Sequence, residues 1–476
     1  MLILTTILIY FCVLMLMGRL TSKKSNNETF YRGERKSPWY VLAFGLVGAS
    51  ISGITFVSVP GMVIKQDMTY LQTCLGFILG YFVVAFVLLP VYYKLNLTTI
   101  YSFLQKRLGN RSYKTGALFF LLSEMTGTAL RFYVVCSILQ RFVFGPVGVP
   151  FVVTVVALVM LIWLYTRRGG IKTLVWTDTF QTFCMMAALL IIIVEVIGKL
   201  DMSVGDAVWA VVADSHSRIF VFDDWVSTQN FFKQFLSGVF IVVVMTGLDQ
   251  HMMQKNLTCK TLRDAQKDMC VGGFFFGPGN LLFLSLGVLL LLLAGKEGLA
   301  VPADSDELLP MFAASGWMGS LVLVLFSIGI VAASFSGTDS ALTAVTTSYC
   351  VDIKERPDDE TLRRRAHFGV CVLFAVFILA FRVINSTSVI DAIYIVLSYT
   401  SGPLLGLFAY GILTKRGVND RLVPYICVAA PVICFAINQI TVSLTGYKFG
   451  YELLMLNGML VFLGMYLTSH RAAKAA

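Results

Sequence analysis

The residues best placed to do chemistry lie in the stretch Ser334-Phe-Ser-Gly-Thr-Asp-Ser-Ala-Leu-Thr343, inside a long apolar run. Ser336, Asp339, Ser340, Thr343 and Thr347 recur at helical spacing and share one face. A carboxylate beside a stripe of hydroxyls at membrane depth is costly unless it faces the protein interior or an ion. The stripe therefore reads as part of a cation site in a transporter.

Several other apolar spans carry chemistry that a plain anchor does not need. Gly48, Gly53, Gly61 and Pro60, set among Ser50, Ser52, Thr55 and Ser58, make a poor uninterrupted helix. A break near Ser50–Gly53 would free backbone carbonyls that can replace the hydration shell of sodium; close packing of small residues against a neighbour is the plain alternative. The run Met245-Thr-Gly-Leu-Asp-Gln250 offers a second unwinding point at Gly247, Asp249 and Gln250, unless it is an interfacial helix end. Two irregular spans five crossings apart fit transporters built from five-helix inverted repeats. Asp178 lies about a turn and a half inside the cytoplasmic face. It either reaches an inner-loop lysine or supplies the anionic ligand of a coupling cation. Glu124 and Arg131, seven residues apart on one face, either pair with each other or leave Arg131 as a guanidinium fork for a substrate carboxylate. Ser398–Leu405 contains a Gly-Pro kink suited to a hinge or to simple helix irregularity.

Membrane helices are what must position these groups. The 476 residues are 57% apolar and 13% charged, with a mean hydropathy of +0.79, which excludes a soluble protein. Thirteen candidate spans follow, at 1–18, 38–64, 70–93, 115–141, 147–166, 171–198, 234–254, 270–294, 311–350, 366–381, 387–413, 422–443 and 450–469. The first has neither a basic start nor a small-residue cleavage site, so it reads as a retained helix. The last two hold little polar chemistry and read as peripheral packing helices.

Of the 37 Lys and Arg residues, 28 fall in alternate loops and the C-terminal tail, eight fall on the other side, and Arg131 sits inside a span. The positive-inside rule then places the N-terminus outside and the C-terminus in the cytoplasm. The net charge of +10 orients the chain and does not mark a nucleic-acid surface. The acidic outer loops, 199–233 and 296–310, read as solvated segments too short for catalytic domains. Ten cysteines without CxxC spacing and four histidines without ligand spacing point to neither a disulfide framework nor a zinc site. HExxH and GxSxG are absent, so no enzyme is indicated. A channel lacks its repeated pore loop or charged ring.

In this order and at these separations, the Gly/Ser-rich second span, Trp176-Thr-Asp-x-x-Gln181, Gly247-x-Asp-Gln-x-x-x-Gln-Lys255 and the Ser/Thr helix ending in Asp352-Ile353 resemble the sodium/solute symporter family. That family includes the sodium–sugar, sodium–proline, sodium–sialic acid and iodide carriers. The resemblance covers essentially the whole chain. It implies an all-α fold with a leucine-transporter-like 5+5 inverted-repeat core whose first and sixth helices are discontinuous. The segments would be an extra helix at 1–18, repeats at 38–198 and 234–413, and two peripheral helices at 422–469.

The resemblance also assigns sites. A main sodium site would use carbonyls of Gly48, Ile51 and Ala333 with the hydroxyl of Ser336; Gly337 stands where the family has a second hydroxyl. A further sodium site would join Asp178 with Ser336, Asp339 and Ser340, and Asp339 stands where serine is common, so it binds sodium or a proton. The substrate residues would be Ser50, Ser52, Thr55, Arg131 and Met245. Thr55, Val242 and Phe274 cannot reproduce a galactose-type site, whereas Ser52, Thr55 and Arg131 resemble the sodium–sialic acid carriers. The expectation is sodium-driven uptake of a small anion such as sialic acid, with no organic cofactor. The carrier would be an integral bacterial inner-membrane protein surrounded by lipid, functional as a monomer.

Overall fold

The structure is a computed structural model, and it describes residues 2–22, 26–225, 227–314, 318–384, 389–447, 449–450 and 452–469. Lys23, Lys24, Lys448, Arg471 and Lys474, which enter the charge bias, lie outside the described residues. Among the described residues the chain is helical throughout, with one isolated bridge between Ser37 and Cys259.

In chain order the long apolar helices begin with α1 (Leu2–Thr21), then a bent pair, α2 (Trp39–Ser50) and α3 (Gly53–Gln66). Next come α4 (Tyr70–Lys94), α5 (Asn110–Leu139), α6 (Phe151–Gly169) and α7 (Ile171–Leu200). A second bent pair follows, α8 (Phe231–Gly247) and α9 (Gln250–Asn256), then α10 (Leu262–Glu297) and α11 (Gly319–Ile353). The chain closes with α12 (Glu360–Ile384), α13 (Val389–Leu413), α14 (Val423–Thr445) and α15 (Leu453–Leu467). Nine described helices are long and apolar enough to cross a membrane, and up to eleven spans result if each bent pair is one. α1 and α15 are shorter apolar helices.

Both predicted breaks are present. α2 and α3 meet at 59° across Ile51 and Ser52, and α8 and α9 meet at 69° across Leu248 and Asp249. Each new helix starts on a capping side chain: Ser52 accepts from the Thr55 N–H, and Asp249 from the His251 N–H at 2.7 Å. At the second break the freed carbonyls are taken up by protein. The hydroxyl of Tyr92 donates to Gly247 at 2.8 Å, and that of Tyr101 to Leu248 at 3.0 Å. At the first break no donor among the described residues reaches the carbonyls of Gly48 or Ile51.

α2 runs against α7 and α10, and α11 against α7 and α5, so the first break, Asp178 and the hydroxyl stripe lie at the centre of the bundle. Glycines set these approaches. A Cβ on Gly48 would lie 1.9 Å from Thr182 Oγ1, and one on Gly53 would lie 1.9 Å from Ser334 Oγ.

Three expectations change in detail. The predicted ninth span splits into a short helix, Leu308–Ala314, and α11, which starts at Gly319 with φ +88°. The outer loop 199–233, read as a solvated segment, contains a helix at Val204–Ala213 closed by a Ser203–Asp206 capping box. Finally, α15 is more than peripheral packing. Pro403 has no N–H to offer the Tyr399 carbonyl one turn back. Asn457 of α15 supplies the missing donor, its Nδ2 donating to Ser398 and Tyr399 carbonyls at 2.9 and 3.2 Å.

Candidate transport site

All five residues expected at the substrate, Ser50, Ser52, Thr55, Arg131 and Met245, line one cavity of about 120 Å³ at the two helix breaks. Asp249 and His251 of the second break join them. One wall is apolar, with Phe77 and Phe276, and one is polar, which is the division a small-molecule site needs. The Ser50 hydroxyl is held by the hydroxyl of Tyr81 at 2.8 Å, which leaves Ser52, Thr55 and Arg131 as the adaptable polar groups.

Arg131 makes no ion pair or hydrogen bond among the described residues. Its expected helix partner, Glu124, turns elsewhere: Oε1 lies 3.3 Å from His251 Nδ1 and accepts from Thr128 Oγ1 at 3.0 Å. The Arg131 guanidinium thus has no described carboxylate oxygen within ion-pair distance at the cavity wall, although Glu124 and Asp249 are both near enough to interact with its charge. A guanidinium in that state is a strong, fixed anion-binding group, because it stays protonated and presents a planar fork of donors.

A smaller cavity connects this region to α11. Ala333 and Gly337 line it together with Ser52, Gly53, Arg131 and His251. A Cβ on Gly337 would meet nothing within 4 Å, so the position has room for the hydroxyl it lacks. Gly48 packs on Thr182 of α7, and Ile51 is fully buried with its side chain towards Gly279 of α10. The end of α2 and the start of α3 meet α11 at the smaller cavity, where Ala49, Ser52 and Gly53 face Ala333 and Gly337.

The further set of expected cation ligands divides into two groups. Ser336 Oγ donates to Asp178 Oδ1 at 3.0 Å, while Lys255 Nζ lies 2.6 Å from Asp178 Oδ2. Asp339 is engaged separately: Tyr165 donates to its Oδ2 at 2.6 Å and Ser340 to its Oδ1 at 3.1 Å. Lys255, counted by sequence among inner-loop charges, is instead buried on α9 and 7% exposed at its side chain. Both open readings of Asp178 were present in the sequence, and the structure places the lysine on it. The lower stripe is structural, since Thr347 accepts from Gln254 Nε2 at 3.0 Å and bonds back to Thr343.

Sequence spacing missed His251. Glu124, Asp249 and His251 come from two separated spans, yet one ligand-type atom from each lies within 4.8 Å of the others. Only the fold brings them together. The one signal available was the polar run Asp249-Gln-His251 inside an apolar span.

Residues 30–421 match the profile of the sodium:solute symporter family. The chain is 25% identical over 434 residues to the sodium/sialic acid symporter NanT of Aliivibrio fischeri, covering 86% of this chain and 82% of that protein. It is 23% identical over 432 residues to the sodium/sialic acid symporter SiaT of Proteus mirabilis, covering 86% and 84%. A solved substrate-bound, outward-open Na+-coupled sialic acid symporter superposes with a TM-score of 0.85 over 99% of both chains at 19% identity, which establishes the shared fold. With the profile spanning most of its length, the chain belongs to the sodium:solute symporter family and is a sodium-coupled membrane transporter, not an enzyme.

Proposed function

We propose that this chain takes up a small organic anion, sialic acid or another carboxylate, with sodium by alternating access. The observation that carries the anion is Arg131, an unpaired guanidinium on the wall of the cavity that Ser52 and Thr55 also line. The sialic acid named for its relatives NanT and SiaT is a carboxylate of this class.

The sodium site we favour is formed by the Gly48, Ile51 and Ala333 carbonyls with Ser336, at the break where no described donor competes for the first two. Sodium there would order the junction of α2 and α3, which presents Ser52 and Thr55 to the cavity. Each ligand then lowers the cost of organising the other's site, and the coupling is reciprocal. A membrane potential contributes about 2.3 kcal/mol per positive charge per 100 mV. At the other set, the Lys255 ammonium already neutralises Asp178, so we assign one sodium per cycle. Proton coupling is the second reading, favoured by the buried carboxylates Asp178 and Asp339, the latter with hydroxyl partners from Tyr165 and Ser340. Binding that ignores sodium but varies steeply between about pH 5 and pH 8 would support it.

We assign thirteen spans by adding α1 and α15 to the eleven. The repeats run 38–198 and 234–413, in a monomer of the bacterial inner membrane with the N-terminus outside and the C-terminus in the cytoplasm. The direct test of the substrate class is a thermal-shift screen of purified protein against sialic acids, other carboxylates, neutral sugars, nucleosides and amino acids, each with and without sodium. Sodium-dependent stabilisation by carboxylates, lost in Arg131→Gln, is expected. Stabilisation by neutral sugars that survives Arg131→Gln would overturn the anion assignment.

A further inference from the structure

His251 lines the substrate cavity with Glu124 behind it at 3.3 Å, and nothing in the sodium or anion assignment uses this pair. His251 borders both cavities, together with Arg131 and Ser52 in each. The pair is withdrawn from solvent, with side-chain exposures of 7% for His251 and 8% for Glu124. A carboxylate oxygen only accepts, so in the neutral imidazole the 3.3 Å contact with Glu124 Oε1 places the single ring hydrogen on Nδ1. The His251 main-chain N–H donates to Asp249 Oδ1 at 2.7 Å, which holds the Asp249 carboxyl at the start of α9 beside this pair. Nε2 then carries a lone pair. It is buried and has no partner among the described residues.

A buried polar atom left unmatched costs about 1–3 kcal/mol, so an unpartnered one on a residue that lines two cavities is a binding feature more readily than a packing one. We propose that His251 Nε2 accepts a hydrogen bond from an O–H or N–H of the transported solute, whose carboxylate is held by Arg131. The solute is therefore a hydroxylated or acylamino carboxylate, not a plain alkyl carboxylate or an inorganic anion. Glu124 is the positioning residue, holding the tautomer that leaves Nε2 an acceptor. The inference rests on the assignment of Arg131 to the substrate carboxylate and narrows it. A site that hydrogen-bonds a substrate hydroxyl rejects the analogue lacking it far more strongly than an apolar pocket rejects a missing methylene.

The test is isothermal titration of the full-length protein in detergent with saturating sodium. The probes are the matched pairs lactate and propionate, gluconate and hexanoate, with N-acetylneuraminate added. The hydroxylated member of at least one pair, or N-acetylneuraminate, is expected to bind at least about tenfold more tightly than the plain carboxylates. His251→Phe is expected to bring that ratio to within about twofold. Because His251→Phe disturbs packing, Glu124→Gln provides a second arm. It retains the imidazole but frees its tautomer, and the ratio is expected to fall and to become pH-dependent.

Equal binding of hydroxylated and plain carboxylates, or a ratio unchanged in both variants, would overturn this inference and leave the anion assignment standing. Binding of neutral sugars with no effect of Arg131→Gln, or no carboxylate binding at all, would overturn both. Titration of Mn2+ or Zn2+ alone provides the remaining arm. Tight binding lost in His251→Gln would mean that Glu124, Asp249 and His251 hold a divalent ion, and would overturn the hydrogen-bonding role.

Discussion

The Lys255–Asp178 pair is the clearest local departure from a simple cation site. Removing one partner of a buried pair leaves an uncompensated charge and costs about 3–5 kcal/mol, whereas removing both is much milder. Lys255→Met is therefore expected to lower thermal stability in detergent sharply, and Lys255→Met with Asp178→Asn to recover most of the loss. A double variant no more stable than the single would mean that Lys255 acts independently of Asp178. Gly337 makes the opposite kind of prediction, a gain. The position is helical and open, so Gly337→Ser adds a hydroxyl beside Ala333 and Ser336 without a clash. The sodium concentration for half-maximal uptake is expected to fall several-fold, about 1 kcal/mol of added ligation. An unchanged sodium dependence would place the ion elsewhere. At this scale the sequence was legible wherever one residue type carries one meaning. Arg131 cannot lose its charge and Gly337 cannot offer a hydroxyl. His251 and the burial of Lys255 were not legible, because each depends on what another span brings within about 3 Å.

Among the elements, the two broken pairs differ in a way that assigns them different work. The α8–α9 break is closed by the tyrosine hydroxyls of Tyr92 and Tyr101, while the α2–α3 break keeps Gly48 and Ile51 carbonyls free of described donors. The first can be a rigid support and the second an ion-binding joint. Gly48 makes that joint tight against α7. Gly48→Ala would press a methyl group on Thr182, with the α7 backbone Cα only 3.1 Å away, and is expected to cost about 1–3 kcal/mol and most sodium-driven uptake. Gly127→Ala, in open space on α5, is the control and is expected to fold and transport normally. Equal effects of the two would show that helix propensity, not close packing, governs these positions. The breaks themselves were readable, because Gly, Ser and Pro clusters within an apolar run have few other uses. The role of α15 was not, since Asn457 gains its meaning only from the Tyr399 carbonyl that Pro403 leaves unpaired on α13 and from the Ser398 carbonyl beside it.

For the whole molecule, the charge bias argues for one topology, which would put the basic loops 94–114 and 354–365 on the cytoplasmic face and the acidic loops 199–233 and 296–310 on the other. The cytoplasmic assignment of the basic face has a simple check: a green fluorescent protein joined to the C-terminus is expected to fluoresce, and a dark but expressed fusion would invert the topology. Family and fold class were legible from composition and from motif order over the full length. The detailed repeat layout was not, because the two proposed halves, 38–198 and 234–413, show no matching residues by which one could be laid on the other.

The central claim is that a sodium gradient drives accumulation of an organic anion through the site at Arg131. Its most direct measurement is uptake of labelled N-acetylneuraminate, or of the tightest carboxylate from the binding screen, into proteoliposomes. Inward sodium gradient, equal sodium and inward proton gradient are compared for the native protein and Arg131→Gln. Accumulation above the external concentration is expected only with the sodium gradient, and none in Arg131→Gln. Accumulation that follows the proton gradient alone, or that persists in Arg131→Gln, would contradict the claim.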